Sequence, residues 1–179
     1  MIGDLAWVPV AHRPDLLAPP VAAALSSWDG AGRVQVAEID PDLADTATLI
    51  EAHGVPAGAS ANCVVVAGRR GGELRVAACV VAATTRADVN TVVRKALDVR
   101  KASFLPADDA VAASGMEYGG ITPIGLPAGW RLLVDAAVLD LPMAVIGSGV
   151  RRSKLALPGE LLATLPDAEG VAGLGRVTW

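Results

Sequence analysis

Two glycine-rich stretches carry most of the geometry in this chain that could do chemistry. The first, Met116-Glu117-Tyr118-Gly119-Gly120-Ile121-Thr122-Pro123-Ile124-Gly125-Leu126-Pro127, sets three glycines and two prolines around a single threonine. Paired glycines let a backbone approach a ligand closely and expose N–H groups, while Pro123 and Pro127 fix the turn so that those donors stay aimed. Donors held in this way orient a carbonyl. An ordinary tight connection has the same composition, and the residues alone leave both readings open. The second stretch, Gly147-Ser148-Gly149-Val150-Arg151-Arg152, brings backbone donors next to two guanidinium groups, which suits a phosphate or a ribose. It is not the phosphate loop of NTPases, which needs Gly-Lys-Ser/Thr. Nor is it the nucleophile elbow Gly-x-Ser-x-Gly, because Ile146 stands where the first glycine should be. Ser148 is therefore a weak nucleophile candidate.

Other reactive side chains are sparse. Cys63, Cys79, His12 and His53 offer no ligand set at zinc spacing, so no metal site is expected. The two cysteines would be cross-strand neighbours if their segments form a hairpin turning at 69–72, which would allow a bridge; in a reducing compartment they read instead as buried small hydrophobes. His12 and His53 read as surface residues, and nothing assembles either into a catalytic triad.

The elements that must position the two loops follow from apolar spacing and turn signals. Helices are expected over 16–27, from Asp40-Pro41 or Asp45-Thr46 to a stop at Gly54, over 88–97, and over 158–165. Val34, Val36 and Ile39 suggest a strand. Runs at 63–66 and 74–81, separated by Gly68-Arg69-Arg70-Gly71-Gly72, form the central hairpin. Phe104-Leu105, 132–134 and 143–146 complete the strands. Helices and strands alternate irregularly, which gives an α/β domain with a mixed sheet.

At 179 residues the chain fits one domain over 1–179, and no linker, repeat or low-complexity tract divides it. With 53% apolar and only 3% aromatic residues, the core must be built from Ala, Val and Leu. The longest apolar run, 76–83, is far short of the roughly 20 residues that span a bilayer. Met1-Ile2-Gly3-Asp4 opens the sequence without a basic stretch leading into an apolar one, so a cytoplasmic protein is expected. A net charge of −4 and a pI near 5.1 argue against a protein that coats duplex nucleic acid, so DNA is not an expected partner. Basic residues nevertheless cluster at Arg69-Arg70, Arg94-Lys95, Arg100-Lys101 and Arg151-Arg152 with Lys154. Each cluster is either a grip for an RNA terminus or a solvated face.

Ser114-Gly115 followed by Gly119-Gly120-Ile121-Thr122-Pro123-Ile124-Gly125 resembles the Thr-Gly... Gly-Gly-Ile-Ser/Thr-Pro-Leu/Ile-Gly signature of the YbaK / prolyl-tRNA synthetase-associated editing family. The resemblance is best over 55–165. The Val-rich hairpin from Cys63, the helix with Arg94-Lys95, the segment Asp98-Val99-Arg100-Lys101, the strand Leu133-Val134-Asp135 ending in Asp, and Gly147-Ser148-Gly149 with Arg151 agree with it. It implies a partly barrel-like mixed sheet flanked by helices. It also implies hydrolysis in trans, without metal or cofactor, of the ester between a mistakenly attached amino acid and the 3′ adenosine of a tRNA. A water, helped by the substrate's ribose hydroxyl, would attack a carbonyl oriented by backbone N–H groups.

On that resemblance Asn62, Gly119, Gly120 and Gly149 are the catalytic candidates. Met116, Tyr118, Ile121, Thr122, Pro123, Asp135, Gly147, Ser148 and Arg151 are the candidates for binding the acceptor end. One departure matters. The family generally carries a Lys where Asn62 stands, and an amide donates weaker, uncharged hydrogen bonds. The alternative reading is therefore an inactive member that binds aminoacyl-tRNA, a nucleotide-like ligand or a protein partner. Either Asn62 orients the substrate's α-amino group or ester through its amide, or Arg151 replaces the charge from across the pocket; the sequence leaves both open.

Overall fold

The protein is described from a computed structural model covering residues 2–177; Met1, Thr178 and Trp179 lie outside it. Eleven strands are formed: β1 (Val8–Pro9), β2 (Gln35–Glu38), β3 (Ala61–Arg70), β4 (Glu73–Ala82), β5 (Arg86–Ala87), β6 (Ala102–Phe104), β7 (Arg131–Asp135), β8 (Ala144–Gly147), β9 (Ser153–Leu157), β10 (Ala168–Val171) and β11 (Gly175–Arg176). The α-helices are α1 (Pro19–Ser27), α2 (Thr46–His53), α3 (Arg94–Ala96), α4 (Ala107–Ser114) and α5 (Ala136–Leu139).

The β3–β4 hairpin is the frame. Its β-branched residues favour the pleated backbone, and Gly71 and Gly72, at φ 57° and 84°, take the left-handed turn that a side chain would resist. β3 and β4 sit in a five-stranded mixed sheet of order β10-β7-β4-β3-β6, and a four-stranded antiparallel sheet runs β1-β2-β9-β8. A single parallel bridge, Ser60 to Val145, joins the two sheets at the root of β3, which gives the partial closure expected of a barrel-like fold. Beyond it the sheets diverge. Ala78, Val80, Leu132 and Val134 of the larger sheet pack against Val36, Ile146, Leu155 and Leu157 of the smaller one, with Val21 and Leu25 of α1. The reverse face of the larger sheet holds Ala77, Cys79 and Leu133 against Val93 and Leu97. The reverse face of the smaller sheet holds Ala37, Val145 and Ala156 against Leu49 of α2.

Several boundaries move for local reasons. α1 begins at Pro19 because Pro14–Leu16 is already a separate 3-10 turn and two prolines fit the first helical turn. α2 ends as expected at left-handed Gly54. The helix over 88–97 is capped by the Asp88 side chain, opens as a π-helical turn, Val89–Val93, and only then becomes α3. The expected last helix is a 3-10 segment, Gly159–Thr164. The short elements β1, β5, α5, β10 and β11 were not anticipated, and neither were two that bear on the site, α4 and β9. α4 is built from alanines and aspartates with little apolar periodicity. β9, Ser-Lys-Leu-Ala-Leu, is buried along its whole length, so no alternation marks it.

The hairpin register decides the cysteines. Cys63 lies opposite Val80 and Val64 opposite Cys79, so the two sulfurs leave the sheet on opposite faces, and both thiols are free. Burial pushes both thiol pKa values up, that of Cys79 to about 12, which further suppresses thiolate exchange. Treatment of the folded protein with a thiol oxidant should therefore leave its intact mass unchanged by disulfide formation. An intramolecular Cys63–Cys79 bridge detected by mass spectrometry would mean that the register is wrong.

Candidate functional site

β6 pairs with β3 only over Val66–Gly68, and the bridge to β8 is made at Ser60, so the outer edge of β3 is open between them over 62–64. A cavity of about 570 Å³ opens along that edge. Leu105 N–H donates to Val65 O at 2.9 Å on this outer side, while Ser60 O accepts from Ala83 N–H at 2.8 Å on the β4 side. Alternation along the strand then turns the N–H and C=O of Cys63, and the C=O of Ala61, outward to the cavity. A sheet edge thus supplies polar backbone groups to a concave site.

One end of the cavity is polar. Asp45, at the N-cap of α2, and Thr46, its first residue, both line it. Thr46 Oγ1 donates to Asn62 Oδ1 at 2.8 Å, which fixes the Asn62 amide and leaves its NH₂ group as a donor. Lys154 projects from β9 into the same wall and is only 8% exposed. Burial lowers its pKa to about 8 against the raising effect of Asp45; Arg151 adds to the lowering. At neutral pH the group is mostly a desolvated ammonium, which interacts more strongly than one in water. The remaining wall is apolar, from Ala44, Ala61, Val65, Leu105, Ala110 and Ile121. Among the described residues no three His, Cys, Asp or Glu side chains converge on a point that could hold a metal.

The two glycine-rich loops meet beside this cavity, and most of their glycines serve that meeting. Glu117 N–H donates to Gly149 O at 2.8 Å, Gly149 N–H to Gly120 O at 2.7 Å, and Arg151 N–H to Glu117 Oε2 at 2.6 Å. A Cβ on Gly120 would stand 2.9 Å from the Val150 backbone, and one on Gly147 would stand 2.6 Å from Gly120 O. Gly149 is closed in by Ala18 and Val21. The N–H groups of Gly120 and Gly149, expected to face substrate, are thus occupied, Gly120 N–H by Glu117 O at 2.9 Å.

Of the expected residues, Asn62, Tyr118, Gly119, Ile121 and Gly147 come together around the cavity. The others do not. Met116 is core, Thr122 and Pro123 are buried, and Thr122 Oγ1 has no partner among the described residues. Asp135 caps α5 through Ala137 N–H and accepts from Gly175 N–H at 2.6 Å, which ties down β11 instead of binding a ligand. Ser148 Oγ is fully buried, 2.7 Å from Ser153 Oγ, and has no access to a substrate. Arg151 lies over Gly119 and donates to Pro41 O at 3.0 Å beside a separate surface depression, so it does not bring the expected charge into the cavity. Lys154 does, from a strand that sequence periodicity did not reveal, because it is buried along its whole length. His12 is exposed, whereas His53 is half-buried, with Nδ1 2.8 Å from Asp4.

A family profile described as an aminoacyl-tRNA editing domain matches residues 40–165. The structure superposes on that of a candidate trans-editing enzyme for prolyl tRNA synthetase with a TM-score of 0.74, at 19% identity, covering 89% of this chain and 96% of the other. A scaffold from work on epitope backbone grafting by computational design gives 0.74 at 20% identity, over 89% and 97% of the two chains. Hypothetical protein APE2540 gives 0.66 at 21% identity, over 74% and 85%. These likenesses are of fold. No curated protein matches the chain by sequence.

The packing of loop on loop predicts where glycine is indispensable. Gly147→Ala should destabilise the protein by about 1–3 kcal/mol through forced separation of the loops. Gly58→Ala, at a position where a Cβ meets nothing, should be neutral or slightly stabilising. Denaturant midpoints of the two variants check this, and equal midpoints would show that the loops tolerate a Cβ between them.

Proposed function

The chain belongs to the aminoacyl-tRNA editing domain family, and from that premise we propose that it hydrolyses, in trans, the ester of a mischarged amino acid on a tRNA 3′ adenosine. The observation that carries this reading is Lys154 beside Asn62 in the cavity. A buried cation and an amide donor at one pole suit the ester carbonyl, whose oxygen gains negative charge as it is attacked. Asp45, the carboxylate at the same pole, suits the α-ammonium group that every aminoacyl ester carries. The small apolar wall takes an aliphatic side chain, and Gly119 presents backbone at the mouth.

In the reaction the water oxygen bonds to the carbonyl carbon. Collapse of the resulting tetrahedral species breaks the bond from that carbon to the ribose oxygen. The water's proton passes, by way of the neighbouring ribose hydroxyl, to the departing oxygen. The products are a free amino acid and a tRNA with both ribose hydroxyls restored. A cytoplasmic protein that meets charged tRNA after its synthetase is the setting for such a reaction. The binding-only alternative rested on the missing lysine at position 62. A cation in the cavity from β9 favours hydrolysis instead.

Wild-type protein should release free amino acid with turnover from at least one member of a panel of mischarged tRNAs; no turnover on a complete panel would sink the proposal. Lys154→Met should lower kcat/KM by about 100-fold. Because the ammonium is the active form, kcat/KM, corrected for hydroxide hydrolysis, should fall as pH rises through about 8, and this limb should vanish in Lys154→Met. A rate that rises through the same pH would make neutral Lys154 a base and refute the assignment. Stability runs the other way. The unfolded chain holds this proton more tightly between about pH 8 and 10.5, so the group's contribution to stability rises with pH across that window.

A further inference from the structure

The mouth of the cavity carries a feature that ester hydrolysis alone does not use. The chain has one phenylalanine and one tyrosine. Both border this cavity, and both are exposed, Phe104 at 59% and Tyr118 at 67%. Aromatic rings dominate cores because they bury so much apolar area, so leaving two of them in water at one place has a cost that folding does not recover. The described tryptophans behave differently. Trp7, Trp28 and Trp130 are half-buried, and the first two are anchored through their indole N–H groups to Ile2 O and Thr164 Oγ1. Phe104 closes the edge strand β6, whose place is set by backbone pairing to β3, and Tyr118 stands on the glycine-rich loop fixed by its contacts to 147–151. The rings are thus carried on positioned backbone, with their faces free.

We propose that Phe104 and Tyr118 form a stacking platform for the unpaired nucleobases at the 3′ end of the RNA whose aminoacyl ester enters the cavity. The identity of that RNA rests on the deacylase reading above. With the ester carbonyl at the Lys154 pole, the ribose occupies the mouth and its base must leave along the rim, where the two rings lie. Stacking on an aromatic face suits an unpaired base of any identity, and acceptor ends are single-stranded. Arg151, whose guanidinium lies against the Tyr118 carbonyl, supplies positive charge beside that ring for a flanking phosphate, and exposed Arg100 and Lys101 stand farther along the same edge, before β6. A net-acidic protein can hold an RNA end with such a local site.

The test uses an RNA trinucleotide, cytidine-cytidine-2-aminopurine, whose fluorescence is quenched on stacking. Wild type should quench it. Phe104→Ala and Tyr118→Ala should each weaken binding by about 10-fold, while Phe104→Tyr and Tyr118→Phe should retain it. On a mischarged tRNA the alanine variants should raise KM by a similar factor with kcat within about twofold, and turnover of an amino acid ester of methyl riboside, which keeps the neighbouring hydroxyl but has no base, should be unchanged. Quenching that depends on both rings in a protein without deacylase activity would support the platform and sink the hydrolysis reading. Deacylation without quenching, or with quenching untouched by the alanine variants, would overturn the platform alone. An equal loss on the methyl riboside ester would make the rings structural and overturn it as well.

Discussion

Contact of backbone on backbone between the loops at 117–121 and 147–151 sets the position of everything else in the site. Each loop uses glycine to let the other approach, and three hydrogen bonds close the contact. Its consequences run in two directions. On one side it holds Tyr118 and Gly119 at the cavity mouth. On the other it fixes the end of β8, and through the pairing of Gly147 with Lys154 it fixes the lysine on β9. A side chain between the loops would shift the lysine relative to Asn62 without touching either residue.

The electrostatics of the site follow from that placement. An ammonium inside a protein is costly unless it is compensated, and the compensation here is partial: Asp45 stabilises the charge, while burial and Arg151 oppose it. The result is a cation whose charge is held close to its limit, ready to gain from any developing negative charge in the cavity. The acidic total of the chain does not bear on this. What matters to a ligand is the local arrangement of a few groups, and the net charge of −4 mostly describes a surface elsewhere.

The sequence made the hairpin, the two loops and the family signature legible because each is written locally: β-branched runs broken by glycines, then glycine and proline at short spacing. The purpose of the individual glycines was not written locally. Gly120 and Gly149 read as donors to a ligand, yet their N–H groups are used between the loops, a fact that depends on which strands bring the loops together. Asp135 read as a binding residue and is a helix cap. The deepest omission was Lys154. The absence of a lysine at position 62 was visible, but its replacement lies on a strand buried along its whole length, where no alternation marks the segment. Its neighbours Arg151 and Arg152 made it look like part of a surface cluster. Only the pairing of β9 with β8 and β2 turns its side chain toward α2 and Asn62.

An unpaired edge inside a sheet is ordinarily a liability, because its free N–H and C=O groups invite another strand. Here the open stretch at 62–64 is short, lies between the Ser60 bridge and β6, and is roofed by the start of α2 and by Leu105. A passing strand cannot reach it, but a small ester can. In the proposed reaction, backbone donors and one cation would bind what all aminoacyl esters share, and so would not choose among amino acids. Choice falls to the apolar wall, where Ala44, Ala61 and Ala110 leave room that larger side chains at the same positions would fill. Each methylene fitted or excluded is worth only about 1–3 kcal/mol. On the proposed reading, a site built in this way would sort amino acids by volume over a narrow range, and the alanines on that wall would set the class of esters it takes.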